Sequence, residues 1–167
     1  MWIFGYGSLV WKVDFPYESK KPGYIRHFVR RFWQKSTDHR GTPDAPGLVV
    51  TLLPYHEWLT KYSQNDPHSH SEMDVCWGMA YKIADKDIEH VRAHLDFREK
   101  DGYETFETSI YSPESDAPII EKAIIYVATT QNPNFHGPCS TGQLAVQIAR
   151  SVGQSGSNSE CMIRDRD

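Results

Sequence analysis

The sequence contains little that would assign it to a secreted or membrane-bound class. Its 167 residues include only three cysteines, the widely spaced Cys76, Cys139 and Cys161, with no Cys-x-x-Cys pair. An odd number of isolated thiols predicts a reducing compartment rather than a disulfide framework. No apolar run approaches the roughly 20 residues that span a bilayer, and the first residues lack the basic and apolar regions of a secretory signal. We therefore expect a cytosolic protein with no membrane partner.

An excess of basic charge is also missing. The chain has 22 acidic and 18 basic residues, a formal net charge of −4 at pH 7, which gives no reason to expect nucleic acid as a partner. The segment from Arg26 to Lys35 alternates basic and aromatic residues, as some nucleic-acid-binding surfaces do. A strand with charged residues at an exposed edge explains the same pattern, and we favour that interpretation because no other basic cluster accompanies it.

One segment has the residue types of a metal site without convincing surroundings. Five potential ligands alternate along it, which could place them on one face of a strand: His68, His70, Glu72, Asp74 and Cys76. The polar stretch 64–67 just before them is typical of a flexible loop. We therefore predict a mobile surface segment here and no metal.

The hydrophobic pattern predicts one α+β domain built mainly from strands. Apolar side chains fall on both faces of residues 27–33, which is typical of a strand in a small barrel. The length is sufficient for a single sizeable core. The predicted strands are 2–5, 24–34, 47–53, 76–83, 104–111 and 121–127, and the predicted helices are 85–100 and 140–151. We expect a mixed, barrel-like sheet.

The first chemically informative segment is at the N-terminus. An apolar strand, Trp2-Ile3-Phe4, leads directly into Gly5-Tyr6-Gly7-Ser8. Two glycines around an aromatic residue let backbone N–H groups approach a ligand closely, so this loop could bind a carboxylate or a developing oxyanion. A plain strand-to-loop turn is the alternative. The loop lacks the Gly-x-Ser-x-Gly pattern of a serine nucleophile, so Ser8 is interpreted as a binding hydroxyl or backbone donor.

The second informative segment is the end of the predicted helix 85–100. Glu99 follows Leu95 by four residues and so lies on or beside the inward face, and Gly102 is a natural stop just beyond. Burial and the negative end of the helix dipole both favour the neutral form of a carboxyl group there, which suits a proton-transfer catalyst. The alternative is a structural salt bridge from Glu99 to Arg98, Lys100 or a distant base.

Together the two segments resemble the ChaC-type glutathione-specific γ-glutamylcyclotransferases, the short members most closely. The matching motifs are Phe4-Gly5-Tyr6-Gly7-Ser8-Leu9-x-Trp11 and Leu95-Asp96-Phe97-Arg98-Glu99-Lys100-x-Gly102-Tyr103. Further similar segments are 13–17, 31–41, 46–52 and 77–81. The resemblance implies a small mixed β-barrel with helices packed outside. It also implies a catalytic domain over 1–160 with a loop insertion at 54–74, and an atypical tail at 161–167 where the family's C-terminal helices are missing.

The activity implied by the resemblance is a lyase reaction on reduced glutathione. The γ-glutamyl amine attacks its own γ-carbonyl, which yields 5-oxoproline and cysteinylglycine without a metal or cofactor. Glu99 matches the family's catalytic glutamate, as general base and then acid, and Tyr103 lines the pocket. The residues matching the substrate-binding loop are Ile3, Phe4, Gly5, Tyr6, Gly7 and Ser8. Two alternatives remain, a cyclotransferase for another γ-glutamyl amino acid or amine, and a non-catalytic γ-glutamyl-binding protein. A monomer or homodimer is expected.

Overall fold

The structure, a computed structural model, describes residues 1–68, 75–99 and 102–164. They group into two compact units that interleave along the chain: unit 1 comprises 1–27 and 75–127, and unit 2 comprises 28–74 and 128–167. The elements are β1 (Trp2–Gly5), β2 (Ser19–Arg26), β3 (Phe28–Ser36), β4 (Gly47–Pro54), α1 (Tyr55–Lys61), β5 (Val75–Lys82), α2 (Ile88–Arg98), β6 (Tyr103–Ser112), β7 (Ser115–Ala128), α3 (Thr141–Arg150), β8 (Val152–Gly153), β9 (Gly156–Ser157) and α4 (Ser159–Arg164). The predicted domain and tail boundaries stay predictions.

Unit 1 is a closed five-stranded barrel. Its strand order is β1-β5-β2-β6-β7. Strand β1 is antiparallel to β5 along its whole length and parallel to β7, where Ile3 pairs with Ile124. Closure leaves no free sheet edge, which protects the backbone from pairing with other chains. The predicted α+β class and mixed barrel are confirmed.

Helix α2 packs against this barrel through one apolar face. Val91 and Leu95 are fully buried in a cluster with Ile3 and Tyr81, and a short 3₁₀ turn at 85–87 precedes the helix. Burial of each such side chain stabilises the fold by about 1.5–3 kcal/mol. The packing fixes the last turn of α2 relative to β1, because Leu95 contacts the cluster that includes Ile3. The predicted helix 85–100 is confirmed in position, with its α-helical part ending at Arg98.

The predicted strand 24–34 is wrong as a single element. It is two strands, β2 and β3, separated by His27, whose φ is 67°. That left-handed conformation is uncommon for a residue other than glycine and breaks the strand. Strand β3 does not join the barrel: it pairs with β4 in a two-stranded sheet of unit 2, with Val29 and Trp33 buried on one face. Apolar residues on both faces of this segment therefore do not indicate a barrel strand.

Unit 2 contains the β3–β4 sheet and helices α1, α3 and α4. Leu48 of β4 is fully buried against Leu144 and Ile148 of α3. Helix α3 begins at a capping box, in which the Ser140 hydroxyl accepts from the Gln143 amide and the Gln143 side chain accepts from the Ser140 amide. These local signals explain why the predicted helix 140–151 is confirmed. Across the described ranges no helix combines the length and apolarity needed to span a bilayer.

The described part of the predicted insertion 54–74 is held in place by a buried carboxylate. Asp66 Oδ2 accepts hydrogen bonds from Arg31 Nε at 2.7 Å and from Trp58 Nε1 at 2.8 Å, and Oδ1 accepts from the amide of His68 at 2.9 Å. The predicted loop at 64–67 thus contains a buried, hydrogen-bonded residue, which composition alone does not reveal because its partners are distant in sequence; its flexibility stays a prediction. Residues 69–74, which carry most of the alternating metal-type residues, lie outside the described ranges. Within those ranges no group of three or more His, Cys, Asp or Glu side chains could hold a metal.

Candidate active site

The N-terminal glycine-rich loop continues directly from the barrel strand β1. Ile3 and Phe4 are each 1% exposed, so the strand beneath the loop is fixed by the core. Gly5 ends β1, and a Cβ there would lie 2.5 Å from the Cβ of Leu9. A Cβ on the facing Gly78 would lie 2.2 Å from the Gly5 carbonyl oxygen. Both positions require glycine: at Gly5 the chain turns back toward Leu9, and at Gly78 strand β1 lies too close for a side chain.

Hydrogen bonds fix the conformation of this loop. The Gly7 carbonyl accepts from the Val10 amide at 2.9 Å, and the Ser8 carbonyl accepts from the Lys12 amide at 2.8 Å. The Tyr6 hydroxyl donates to the Tyr126 carbonyl at 2.7 Å, and the Tyr6 side chain is buried. The loop carbonyls are thus used within the turn, and the aromatic residue between the two glycines anchors the loop to β7.

Glu99 lies immediately after α2, at the position that caps its C-terminus. Its amide still donates to the Leu95 carbonyl at 2.8 Å, so the residue continues the hydrogen-bond pattern of the last turn. Its side chain is 20% exposed, which agrees with the predicted place beside the inward face. Gly102 has a φ of 81°, the left-handed conformation typical of a glycine after a helix.

Arg98 connects the two predicted segments. Its Nη2 donates to Ser8 Oγ at 2.6 Å, across 90 residues of sequence, and its Nη1 donates to Asp14 Oδ1 at 3.0 Å. Its Nε lies 3.4 Å from Glu99 Oε1. The salt bridge between Glu99 and Arg98, considered above as a structural alternative, is therefore present, and the same guanidinium also binds the glycine-rich loop.

Two neighbouring groups have perturbed ionisation. Burial raises the pKa of Asp14 more than any other single influence, but the charge of Arg98 and the nearby His94 ring, whose Nε2 lies 3.2 Å from Oδ1, together lower it below its ordinary value. Burial also raises the pKa of Tyr126, helped by its hydrogen bond to Asp96 and the nearby charge of Glu99. The Tyr126 phenol therefore stays protonated at neutral pH.

Sequence reasoning missed part of this arrangement. The partnership of Arg98 with Asp14 has no sequence signal, although each residue lies in a segment that carried the resemblance. The pairing of the Tyr126 hydroxyl with Asp96, at 2.9 Å, is equally invisible in a linear pattern. Tyr103 begins β6, and its predicted place in the pocket stays a prediction.

Comparison with known proteins shows the family to which this chain belongs. The family described as ChaC-like protein matches residues 1–165, and the chain belongs to that family. A glutathione-specific γ-glutamylcyclotransferase from Schizosaccharomyces pombe is 41% identical over 160 residues, which cover 95% of this chain and 77% of that protein. Glutathione-specific γ-glutamylcyclotransferase 1 from Homo sapiens is 41% identical over 170 residues, covering all of this chain and 68% of that protein.

A solved structure supports the same assignment. The crystal structure of a yeast γ-glutamylcyclotransferase specific to glutathione is 31% identical and superposes with a TM-score of 0.86, covering 99% of this chain and 85% of that one. The predicted γ-glutamylcyclotransferase-like fold and the resemblance to the ChaC family are therefore confirmed.

Proposed function

We propose that this protein is a glutathione-specific γ-glutamylcyclotransferase that converts reduced glutathione into 5-oxoproline and cysteinylglycine. The observation that carries the proposal is that Arg98 contacts both Ser8 of the glycine-rich loop and Glu99. It is made in a chain that is 41% identical to proteins named glutathione-specific γ-glutamylcyclotransferase. The assignment of particular residues to substrate binding and catalysis is part of the proposal.

The reaction moves two protons away from the attacking nitrogen. The α-ammonium of the γ-glutamyl group loses one proton, and the resulting amine attacks the γ-carbonyl. The attacking nitrogen then loses a second proton, so that the five-membered ring it forms is a neutral lactam. The bond from the γ-carbon to the cysteine nitrogen breaks as that nitrogen takes up one proton, and the released amine of cysteinylglycine takes up the other from water. Glu99 accepts a proton from the attacking nitrogen and donates it to the leaving nitrogen, a role typically worth ~10²–10⁴-fold in rate. Written this way, the reaction balances without a redox cofactor or a covalent intermediate.

The charge state of Glu99 suits the first of these steps. Burial and the helix C-terminus were expected to favour the neutral acid, yet the Arg98 guanidinium nitrogen at 3.4 Å favours the carboxylate. A carboxylate is the form that can accept a proton from the ammonium.

Residues 3–8 bind the substrate mainly through the backbone. The side chains of Ile3 and Phe4 are in the core, so in this proposal they act by fixing β1. The amides around Gly5 and Gly7, together with the Ser8 hydroxyl, bind the γ-glutamyl carboxylate and the developing oxyanion. Loss of one such donor commonly costs ~10²–10³-fold in rate, and the fixed loop holds the amine near the carbonyl it attacks.

We further propose that the activity is cytosolic. The three cysteines are widely spaced and odd in number, and Cys76 and Cys161 are buried. Burial also raises the pKa of the Cys139 thiol, which lowers its reactivity at neutral pH. An odd number of widely spaced cysteines suits a reducing compartment. A monomer or homodimer remains the expected state.

The test is direct detection of both products. Purified protein is incubated with reduced glutathione, and 5-oxoproline and cysteinylglycine are quantified by mass spectrometry. Glu99→Gln keeps the shape of the side chain but cannot accept the proton, so product formation is expected to fall by at least ~10²-fold while glutathione binding survives. Glu89→Gln, which changes an exposed glutamate in the first turn of the same helix, is the matched control and is expected to retain activity.

Other outcomes would change the assignment. Unchanged turnover by Glu99→Gln would reject Glu99 as the catalyst. A wild type that is inactive on glutathione but releases 5-oxoproline from γ-glutamyl amino acids or amines would be a cyclotransferase of different specificity. Binding of glutathione without any product would identify a binding protein instead.

A further inference from the structure

The guanidinium of Arg98 is bound on three sides by three different parts of unit 1. Nη2 donates to Ser8 in the glycine-rich loop, Nη1 donates to Asp14 in the segment that precedes β2, and Nε faces Glu99 at the end of α2. The Arg98 side chain is only 18% exposed. Its planar fork of donors is therefore directed at protein oxygens, with little of it open to solvent.

This geometry separates two possible roles for the side chain. A substrate-binding arginine presents its donors to the ligand as a fork, typically to a carboxylate. Here both terminal nitrogens and Nε already face protein oxygens, at 2.6, 3.0 and 3.4 Å. Because every guanidinium nitrogen already faces a protein oxygen, the geometry favours a role in holding other residues over a role as a substrate fork.

Asp14 accepts a hydrogen bond from a different guanidinium nitrogen than Ser8 does. Asp14 Oδ1 accepts a hydrogen bond from Arg98 Nη1. The same oxygen lies 3.2 Å from Nε2 of His94, which is one turn earlier on α2. The pKa of Asp14 is lowered, so it is a carboxylate at neutral pH and keeps the pair ionic. The rotamer of Arg98 is thus determined by contacts away from Glu99.

The contact with Ser8 has a chemical consequence of its own. The Ser8 oxygen accepts a hydrogen bond from Arg98, so the hydroxyl proton of Ser8 can still be donated to a second partner. A hydroxyl that accepts a charge-assisted hydrogen bond is polarised and becomes a better donor. In the loop proposed to bind the γ-glutamyl group, the Ser8 hydroxyl would donate this stronger hydrogen bond to the substrate carboxylate.

We infer that Arg98 is a positioning residue: it holds the Glu99 carboxylate and the Ser8 hydroxyl in one fixed arrangement, and Asp14 holds Arg98. The inference rests on the proposed function and adds a residue to its machinery. Because Arg98 does not contact the substrate, its loss changes the geometry of proton transfer more than it changes binding. A displacement of about 1 Å at the reacting groups can cost ~10²-fold in rate.

The first experiment is steady-state kinetics of Arg98→Ala with reduced glutathione. We expect kcat to fall by ~10²-fold with little change in KM, since an interaction used only in the transition state lowers kcat and kcat/KM together. Added guanidinium ion, at a non-denaturing concentration, is expected to restore part of kcat. Arg98→Lys keeps the charge but cannot bond three oxygens in one plane, and intermediate activity is expected.

The control is Arg150→Gln, compared with Arg98→Gln. Arg150 is the last residue of α3, as Arg98 is the last residue of α2, and it is exposed. The Arg150→Gln variant therefore controls for the loss of an arginine at the end of a helix, and it is expected to keep wild-type kinetics. If Arg98→Ala does not fold, Asp14→Asn and Arg98→Lys carry the test, with a reduced kcat at unchanged KM expected for both.

Several results would overturn the inference. A wild-type kcat in the Arg98 variants would show that Glu99 needs no positioning by this residue. A rise in KM alone would make Arg98 a substrate ligand. A loss of kcat that follows a fall in melting temperature, without rescue by guanidinium, would make it structural. A wild type that forms no 5-oxoproline rejects the proposed function and the positioning role with it, whereas active wild type beside equally active Arg98→Ala rejects the positioning role alone.

Discussion

Removal of the Asp66 carboxylate is expected to destabilise unit 2 strongly. The Asp66 side chain is completely buried, and it accepts hydrogen bonds from Arg31, Trp58 and the amide of His68. The Arg31 and Trp58 side chains are themselves almost fully buried. Asp66→Ala would leave a cation and an indole N–H without these partners. Removal of one member of a buried ion pair typically costs 3–5 kcal/mol, mostly because the other charge is left uncompensated.

The predicted loss of stability can be measured by thermal unfolding. For a chain of this length each kcal/mol changes the melting temperature by about 2–4 °C, so Asp66→Ala should melt about 6–20 °C below wild type. Asp66→Asn is expected to fall between the two, because its one remaining oxygen can accept from Arg31 and Trp58 while its amide nitrogen opposes the His68 N–H. Differential scanning calorimetry on the three proteins gives the order.

The matched control is Asp44→Ala, which changes an exposed aspartate of the same unit. Surface substitutions usually change the free energy of unfolding by less than about 0.5 kcal/mol, so this variant should melt with wild type. A double-mutant cycle with Trp58→Phe then measures the Asp66–Trp58 coupling. A loss for Asp66→Ala no larger than that for Asp44→Ala would refute the reasoning, and the segment 64–68 would then be a loop that its carboxylate does not anchor.

Two further predictions concern unit 1. Gly78→Ala places a Cβ 2.2 Å from the Gly5 carbonyl oxygen, and overpacking of this kind costs about 1–3 kcal/mol of stability. Turnover should also fall, because the glycine-rich loop moves. Gly142→Ala, with nothing within 4 Å of the new Cβ, should leave both melting temperature and turnover unchanged. The lowered pKa of Asp14 contributes stability that is complete above the ordinary aspartate pKa of about 3.9 and is lost as pH falls through the lower folded value. Acid titration of Asp14→Asn, followed by circular dichroism, should show a shallower loss below about pH 4; an acid transition identical to wild type would contradict the assignment.

Local signals explain what could be predicted from the sequence. Strand β1 and helix α3 were predicted closely because their information is local: an apolar run ended by glycines in one, and an apolar stripe at helical spacing in the other. Glu99 could be placed beside the inward face by counting four residues from Leu95. Its salt bridge to Arg98 was foreseen only as an alternative, since adjacent charges on a helix end do not always meet.

Contacts between distant residues explain the errors. The break at His27 depends on a left-handed backbone conformation that the neighbouring residues give no signal for. The anchoring of 64–68 depends on Arg31, 35 residues before Asp66. The bond from Arg98 to Ser8 depends on the packing of α2 beside β1. Periodicity reports which face of an element is apolar, but it contains no information about which distant polar group completes a buried hydrogen bond.

The interleaving of the two units has a consequence for folding during synthesis. Strand β1 leaves the ribosome before its barrel partners β5 and β7, and Ile3 pairs with Ile124. At the usual synthesis rate of about 5–20 residues per second, β1 waits roughly 6–24 s for that partner. The β3–β4 pair, by contrast, is close in sequence and can form within unit 2 much earlier. The loop proposed to bind the substrate is therefore synthesised well before the strands that complete its barrel, and it reaches its final structure only after they have been made.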